Sequence, residues 1–486
     1  MHLVGAAGLC RFVAYVLGAT KGSMMGRGKV WRRRLGHVRN LCCVLGLGLT
    51  IGTALGMAPA AAQEEWWEKT FPGFGRPGGD AASRPRQTSL EERKQQPQQL
   101  NDLRPDRTPL RSHEMIDALE AAIARYQAIV SKGGWPVIPG DQPIRPEDSD
   151  ERVAILYKRL SISGEWKTPP KQTLFGEDYS EGMEAAVRRF QENNGLRVTG
   201  RVDRQTLQAL NVPAMMRLAQ LRINLQRIRD LVAIKPDDRY VLVNAAAFQL
   251  EAVEKGQVEQ RHRVIVGKVE RQTPTVRATI RALNFFPYWR VPESVATLDL
   301  IPRLVNEPEY LQQEKIRVLN GSYNGPELDP SRIDWRQADG KKLRFRQDPG
   351  PWNALGFVRI DMPNSEGVYM HDTPMRHLFN QRWRSFSAGC IRVQDVFTLV
   401  EWIAKYENGW DQPGRTQDIL AAGQAIDMTL TKPVPVYFTY ITAWAELDGR
   451  VVFRPDLYNR DGIRDLNAVA ERDPADGPAP RFTLAP

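Results

Sequence analysis

The apolar positions of this chain change their period near Asp237-Asp238, and that change divides it. Upstream they recur at helical spacing. Ile116, Leu119, Ile123, Tyr126 and Ile129 share one face of a segment that ends at Gly133-Gly134-Trp135-Pro136. Val153, Leu156, Tyr157 and Leu160 make a second stripe. Met183, Ala186, Val187 and Phe190 make a third at i, i+3, i+4, i+7, with Gly195 placed to stop it. Asp203 reads as the N-cap of a short helix carrying Leu207 and Leu210. Pro213 opens a helix whose Leu218, Leu221, Leu225 and Ile228 form a narrow seam, a rigid connector over 213–236.

Downstream the pattern is that of strands: Tyr240–Asn244, Phe248–Val253 and His262–Val266, with a hairpin turn near Lys255-Gly256. Further strands are expected at Ile280–Phe286, Phe357–Ile360, Gly367–Met370, Ile426–Leu430 and Val434–Ile441. One helix, from about Val393 to Tyr406, buries Val396, Leu399, Val400 and Ile403. Residues 305–350 are polar, turn-rich and poor in strand signal, and read as a capping insertion or lid. The fold class is α+β and multidomain: a helical scaffold segment (110–150), a three-helix unit (151–212), the connector, a β-rich sheet domain (237–432) and C-terminal strands completing the scaffold (433–462).

The ends read differently. Arg32, Arg33, Arg34 and Arg39 precede the uncharged apolar run Leu41 to Met57, and Ala60-Ala61-Ala62 offers a cleavage site. Residues 1–62 thus read as an export signal, cleaved or kept as a membrane anchor, with Met24 or Met25 as alternative starts. Export would place the protein in the periplasm or cell envelope, with membrane contact only through an uncleaved signal. Residues 63–109, rich in Pro, Gln, Arg and Gly, read as a disordered tether, and 463–486 as a disordered tail. The leader also changes the charge argument. It holds eight of the 67 Lys/Arg and none of the 57 Asp/Glu, so the remainder carries 59 basic against 57 acidic groups. The headline charge of +10 is then mostly targeting, and no basic field argues for nucleic acid.

Removing the leader leaves Cys390 as the sole cysteine, because Cys10, Cys42 and Cys43 lie within residues 1–62. An exported lone thiol makes no internal disulfide and is either inert core or a reactive group. Its neighbours, Ser387-Ala388-Gly389-Cys390-Ile391-Arg392, are not core neighbours. A thiol near its ordinary pKa of about 8.5 is only a few per cent thiolate at neutral pH, so it needs a base or a positive environment. Of His113, His262, His371 and His377, His371 is the best general base, at the end of a strand where Asp372-Thr373-Pro374 turns the chain. Gly389 permits an unusual φ and close backbone approach, making the N–H groups around it and Cys390 candidate oxyanion donors. Arg392 is placed to bind a carboxylate or bias the thiol towards thiolate. His377, Tyr369, Ser387, Asn353 and Trp289 complete the candidate substrate-binding set. No metal and no cofactor is implied.

Two resemblances follow from these residues. Ala185 through Phe190-Gln191, Gly195-Leu196, Val198-Thr199-Gly200 and Val202-Asp203 to Leu207 resembles the peptidoglycan-binding-domain-1 family. His371-Asp372-Thr373 followed by Ser387-x-Gly389-Cys390-Ile391-Arg392 looks like the YkuD-type L,D-transpeptidase signature. The stretches Asn284-Phe285-x-Pro287-Tyr288-Trp289, Pro349-Gly350-Pro351-x-Asn353-Ala354-Leu355-Gly356 and Phe453-Arg454-x-Asp456-x-Tyr458 resemble its large, YcbB-like branch. The resemblance implies a β-rich catalytic domain with a capping insertion and an embedded peptidoglycan-binding domain. It implies that Cys390 attacks the bond between diaminopimelate and the fourth-position D-Ala of a stem tetrapeptide, and that the thioester passes to a second stem as a 3→3 crosslink. Donor and acceptor stems would be the partners of a monomeric enzyme, with cell-wall synthases as protein partners. A serine enzyme of the penicillin-binding type would need Ser-x-x-Lys, which the chain lacks, and a papain-like peptidase would place Cys before His. The alternative from another class is a non-catalytic wall-binding protein, in which Cys390 is unreactive.

Overall fold

The strand-period region folds into a closed ring of strand pairings. The computed structural model describes residues 102–146, 150–166, 179–412 and 414–463, all within one compact unit that begins at Asp80. The expected leader, most of the tether and the tail lie outside these residues. Strands β1 (Arg239–Asn244), β2 (Gln249–Glu254) and β3 (Gln257–Gly267) form an antiparallel meander. The two-residue turn between β2 and β3 has positive φ at both Lys255 and Gly256, the hand that matches strand twist. Then come β4 (Val276–Phe285), the cap strands β5 (Trp289–Arg290), β6 (Ile316–Asn320) and β7 (Leu343–Gln347), and β8 (Val358–Asp361). The chain continues with β9 (Met370–His371), β10 (Ser385–Ser387), β11 (Ile391–Val393) and β12 (Ile426–Thr439). The ring order is β3-β11-β9-β8-β4-β12-β1-β2, closed by β2 on β3, with β10 branching from β3.

β12 corrects one reading. The two expected strands at 426–430 and 434–441 are a single strand pairing with β4, interrupted by a register shift between Thr429 and Val434. Pro433 sits in that gap, where its missing N–H costs no ladder bond. A domain boundary at 432 would therefore cut a barrel strand.

Helix α1 (His113–Ser131), α2 (Val153–Ser163), α3 (Glu181–Asn193), α4 (Arg204–Leu210) and α5 (Ala214–Val232) precede the barrel. The apolar seam of α5 does not make a free-standing connector. Leu218, Leu221, Leu225 and Ile228 share a core with α1, with a hairpin of β13 (Ala443–Ala445) and β14 (Val451–Phe453), and with Tyr240, Leu242 and Tyr437 of the barrel. Trp444 and Phe453 fill that layer. The three-helix unit has its own core around Leu156, Met183, Phe190 and Leu207. Asp203 caps α4 by accepting from the Thr206 N–H at 2.7 Å. Gln191 is wholly buried: its amide nitrogen donates to Thr199, Arg201 and Thr206, and its oxygen accepts the N–H groups of Thr199 and Gly200. The Phe-Gln … Gly motif is thus a fold staple, since an unpaired buried amide would be costly.

The cap is larger and more regular than an insertion over 305–350. β5, β7 and β6 form a three-stranded sheet, although the strand pattern of β6 and β7 is weak in the sequence. Trp289, Val318 and Phe345 pack beneath it with Leu300, Leu304 and Leu355, so the cap has its own core spanning 289–355.

Candidate active site

β9 and β11 run parallel, with Met370 opposite Ile391 and His371 opposite Arg392. Side chains alternate along a strand, so His371 and Arg392 share a face with the residues two before them, Tyr369 and Cys390. β8 adds Arg359, opposite His371. The other face carries Ile360, Met370 and Ile391, all wholly buried. Strand register therefore brings together residues from three segments of the chain.

The turn from β10 into β11 sets the thiol. β10 is parallel to β3 and β11 antiparallel to it, so the chain reverses at 388–390. Gly389 has φ +126°, and a Cβ there would meet nothing closer than 3.7 Å; the backbone angle, not lack of room, requires glycine. Ser387 Oγ accepts the Gly389 N–H at 3.1 Å and donates to the Cys390 carbonyl at 2.6 Å. Thr273 Oγ1 donates to the Gly389 carbonyl at 2.9 Å. The Tyr458 hydroxyl accepts the Thr273 N–H and donates to the Gly267 carbonyl, tying the turn to the end of β3.

Cys390 is 7% exposed and unpaired. Burial pushes its thiol up to about 11, although the Tyr369 backbone N–H and hydroxyl hydrogen-bond to the sulfur and Arg392 and Arg359 lie nearby. His371 is fully buried, and its Nδ1 donates to the Asp372 carbonyl at 2.5 Å. A carbonyl only accepts, so Nδ1 carries the proton and Nε2 keeps its lone pair. Nε2 has no hydrogen-bond partner. Burial, then Arg392, holds this imidazole down to about 3, so thiol and imidazole are both neutral at pH 7. The Arg392 guanidinium is 1% exposed, has no carboxylate in ion-pair reach among the described residues, and has an unpartnered Nε. Its Nη1 donates to the Met375 sulfur at 3.6 Å. Burial lowers it to about 10, which leaves it a cation at neutral pH.

The constellation thus joins Cys390, His371, Tyr369 and Arg392, and assigns the other expected residues differently. Gly389 is not a free oxyanion donor, since Ser387 takes its N–H; the Cys390 N–H, with no acceptor among the described residues, is the available one. Ser387 is wholly buried and stitches the turn instead of meeting substrate. Asn353, also wholly buried, donates to the carbonyls of Pro287, Gln347 and Asp348 and accepts the Leu355 N–H, closing the cap's exit loop. Trp289 lies in the cap core beneath Tyr369, with its indole N–H facing that hydroxyl. His377 is exposed on the short helix Arg376–Asn380, whose Leu378 and Phe379 pack against Ile265, and is not drawn into the buried group. Sequence reasoning missed Thr273, whose partners Gly389 and Tyr458 lie more than a hundred residues away, and Arg359, which only the β8–β9 register sets opposite His371.

Residues 238–435 match the YkuD family, the L,D-transpeptidase catalytic domain, and residues 149–210 match a putative peptidoglycan binding domain. The chain is 33% identical over 271 residues to a putative L,D-transpeptidase of Haemophilus influenzae, covering 54% of this chain and 53% of the relative. It therefore matches about half the length of that curated relative. Among solved structures, it is similar to an L,D-transpeptidase from Mycobacterium smegmatis (12% identity, 42% of this chain and 58% of that chain, TM-score 0.20). It is also similar to the L,D-transpeptidase of Xylanimonas cellulosilytica (14% identity, 62% of this chain and 99% of that chain, TM-score 0.20).

Proposed function

We propose that this chain, whose residues 238–435 match the YkuD L,D-transpeptidase catalytic domain, forms 3→3 crosslinks between peptidoglycan stem peptides through a thioester on Cys390. The observation that carries the reading is that Cys390 and His371 are both buried and share one face of the paired segments of β9 and β11, with the His371 Nε2 an unpartnered lone pair. Cys390 Sγ attacks the carbonyl between diaminopimelate and D-Ala as its proton passes to Nε2. The developing oxyanion is met by the Cys390 N–H and by the Tyr369 hydroxyl. The C–N bond breaks, the D-Ala amine takes the proton from His371, and the acyl group stays on sulfur. The side-chain amine of a second stem then attacks the thioester and gives its proton to His371; the C–S bond breaks and the departing sulfur takes that proton, restoring the thiol and the neutral imidazole. The cap lies over this face and supports the exclusion of water from the thioester. In this reading the protein works in the periplasm or cell envelope, and the three-helix unit holds the same polymer.

The test is mass spectrometry after exposure to a carbapenem and, separately, to disaccharide-tetrapeptide. A covalent adduct on Cys390 that is lost in Cys390→Ala, together with crosslinked dimers, is expected. No adduct on folded protein would sink the reading, and tripeptide without dimers would make the enzyme a carboxypeptidase.

A buried guanidinium without a counter-ion is costly, and the terminal D-Ala carboxylate of the donor is the anion that would offset it. Arg392→Gln is expected to raise the tetrapeptide KM about tenfold or more, the effect of one lost charge-assisted bidentate contact. Initial-rate measurements with tetrapeptide and with its C-terminal amide check this: the amide should be insensitive to the substitution.

A further inference from the structure

The outer face of the cap sheet carries an arrangement that the proposed chemistry at Cys390 does not use. Alternation along β5 and β7 puts Trp289, Phe345 and Gln347 inward and Arg290, Arg344 and Arg346 outward. Arg290 stands directly opposite Arg346, and Arg346 directly opposite Arg317 of β6, a row of three like charges across three strands. Like charges in register destabilise a sheet, so such a row needs compensation. Arg317 has it, from Glu327 and Asp348. Arg290, Arg344 and Arg346 have no carboxylate in ion-pair reach among the described residues. Arg344 bonds only the carbonyls of Gly340, Lys341 and Leu343. Arg290 lies near the Tyr323 ring at 5.8 Å and Arg346 near the half-exposed Tyr288 ring at 4.9 Å, while Arg346 Nε has no partner. Composition does not explain the row, because residues 287–355 hold ten basic and ten acidic side chains. The cations are gathered on this face by the pleat, with Glu293 the acidic group near Tyr323.

We infer that this face docks the carboxylates of the acceptor stem peptide. The inference rests on the crosslinking function proposed above. The row belongs to the sheet that packs on the site: Arg290 follows Trp289, whose indole packs beneath Tyr369, whose hydroxyl meets the Cys390 sulfur, and the arginines stand on the opposite face of that sheet. Chemistry supports the inference. Diaminopimelate that offers its side-chain amine keeps a carboxylate on the same carbon, and a tetrapeptide stem ends in a second one. Arginines spaced along one face, with aromatic rings between them, suit several carboxylates on a peptide better than a single small anion. Water carries no such charges, so a docking face of this kind favours the amine over hydrolysis by holding the acceptor on the enzyme.

The test compares wild type with the triple variant Arg290→Gln, Arg344→Gln, Arg346→Gln, with Cys390 pre-acylated by donor tetrapeptide and acceptor concentration varied. The expected result is an acceptor KM raised about tenfold or more, from about a twofold to threefold effect per surface charge. Carbapenem acylation of Cys390 should stay within twofold, which also reports that the variant is folded. The wild-type acceptor KM should rise with NaCl, and the variant's should not. An unchanged acceptor KM overturns the inference while leaving crosslinking intact. So does a variant that loses only its binding to phosphatidylglycerol vesicles, which would make the face a membrane contact. A wild type that forms no dimers at all overturns the crosslinking function, and this inference with it.

Discussion

His371→Gln is expected to slow acylation of Cys390 by about 10²- to 10⁴-fold, the range of a positioned general base. The upper end follows from the thiol itself. With its pKa pushed up to about 11 by burial, only about one Cys390 in 10⁴ is thiolate at pH 7, so a variant without a base depends on that fraction. Glutamine keeps a donor for the Asp372 carbonyl but takes up no proton at neutral pH. The same two values predict the pH profile. His371 is neutral above about 3 and Cys390 protonated below about 11, so the productive neutral pair is the resting state throughout the range between. Wild-type acylation should therefore be nearly flat from about pH 5 to 9, and the His371→Gln rate should climb about tenfold per pH unit as thiolate accumulates. Quenched-flow mass spectrometry of the acyl-enzyme measures both. A wild-type rate that rises through pH 6 to 8 would mean a preformed thiolate–imidazolium pair and would overturn the neutral resting state.

The residues of this pair are legible in sequence for a reason the geometry makes plain. Cys390 and His371 sit at the start of β11 and the end of β9, and parallel register puts them on one face; both elements are short and flanked by turn chemistry that a reader of sequence can see. The helices were legible too, because α1, α3 and α5 bury one stripe each. What stayed hidden depends on partners distant along the chain. Ser387 and Asn353 look like polar site residues because one adjoins the Cys390 motif and the other lies in the stretch Pro349–Gly356, but both are consumed by backbone groups that only the folded loops supply. β6 and β7 read as polar because one face of the cap sheet is a row of arginines, which masks the alternation beneath. Composition alone assigned 102–109 to a tether, since apolar burial is what composition measures. That segment is held by charge instead.

Asp102→Ala is accordingly expected to destabilise the fold by about 3 kcal/mol, although the residue precedes the first described helix. Its carboxylate takes Arg263 Nε at 2.7 Å and the Arg384 guanidinium at 2.6 Å. Arg384 is wholly buried, and Asp102 is its one carboxylate partner among the described residues. The rest of its bonds go to the carbonyls of Phe248, Val264 and Gln381. Removing Asp102 leaves that charge buried and unpaired, which typically costs about 3–5 kcal/mol; the lower end applies because Asp102 keeps 21% of its side-chain exposure and water can enter beside it. Burial raises the Asp102 carboxyl, but Arg384 and Arg263 outweigh it and hold the group at about 2. A depressed carboxylate stabilises above its unfolded pKa of about 3.9, so this contribution is complete above about pH 4 and is lost as pH falls towards 2. Arg384 opens β10, and its carbonyl accepts the Val266 N–H, so loosening it loosens the strand that leads to Cys390. Thermal melting at pH 7 should show the loss, and Asp102→Ala combined with Arg384→Leu should recover much of it, because the unpaired charge is gone. A single variant that melts with wild type would mean that Arg384 is solvated in the native state, and the strap over 102–109 would then be dispensable to the nucleophile's strand.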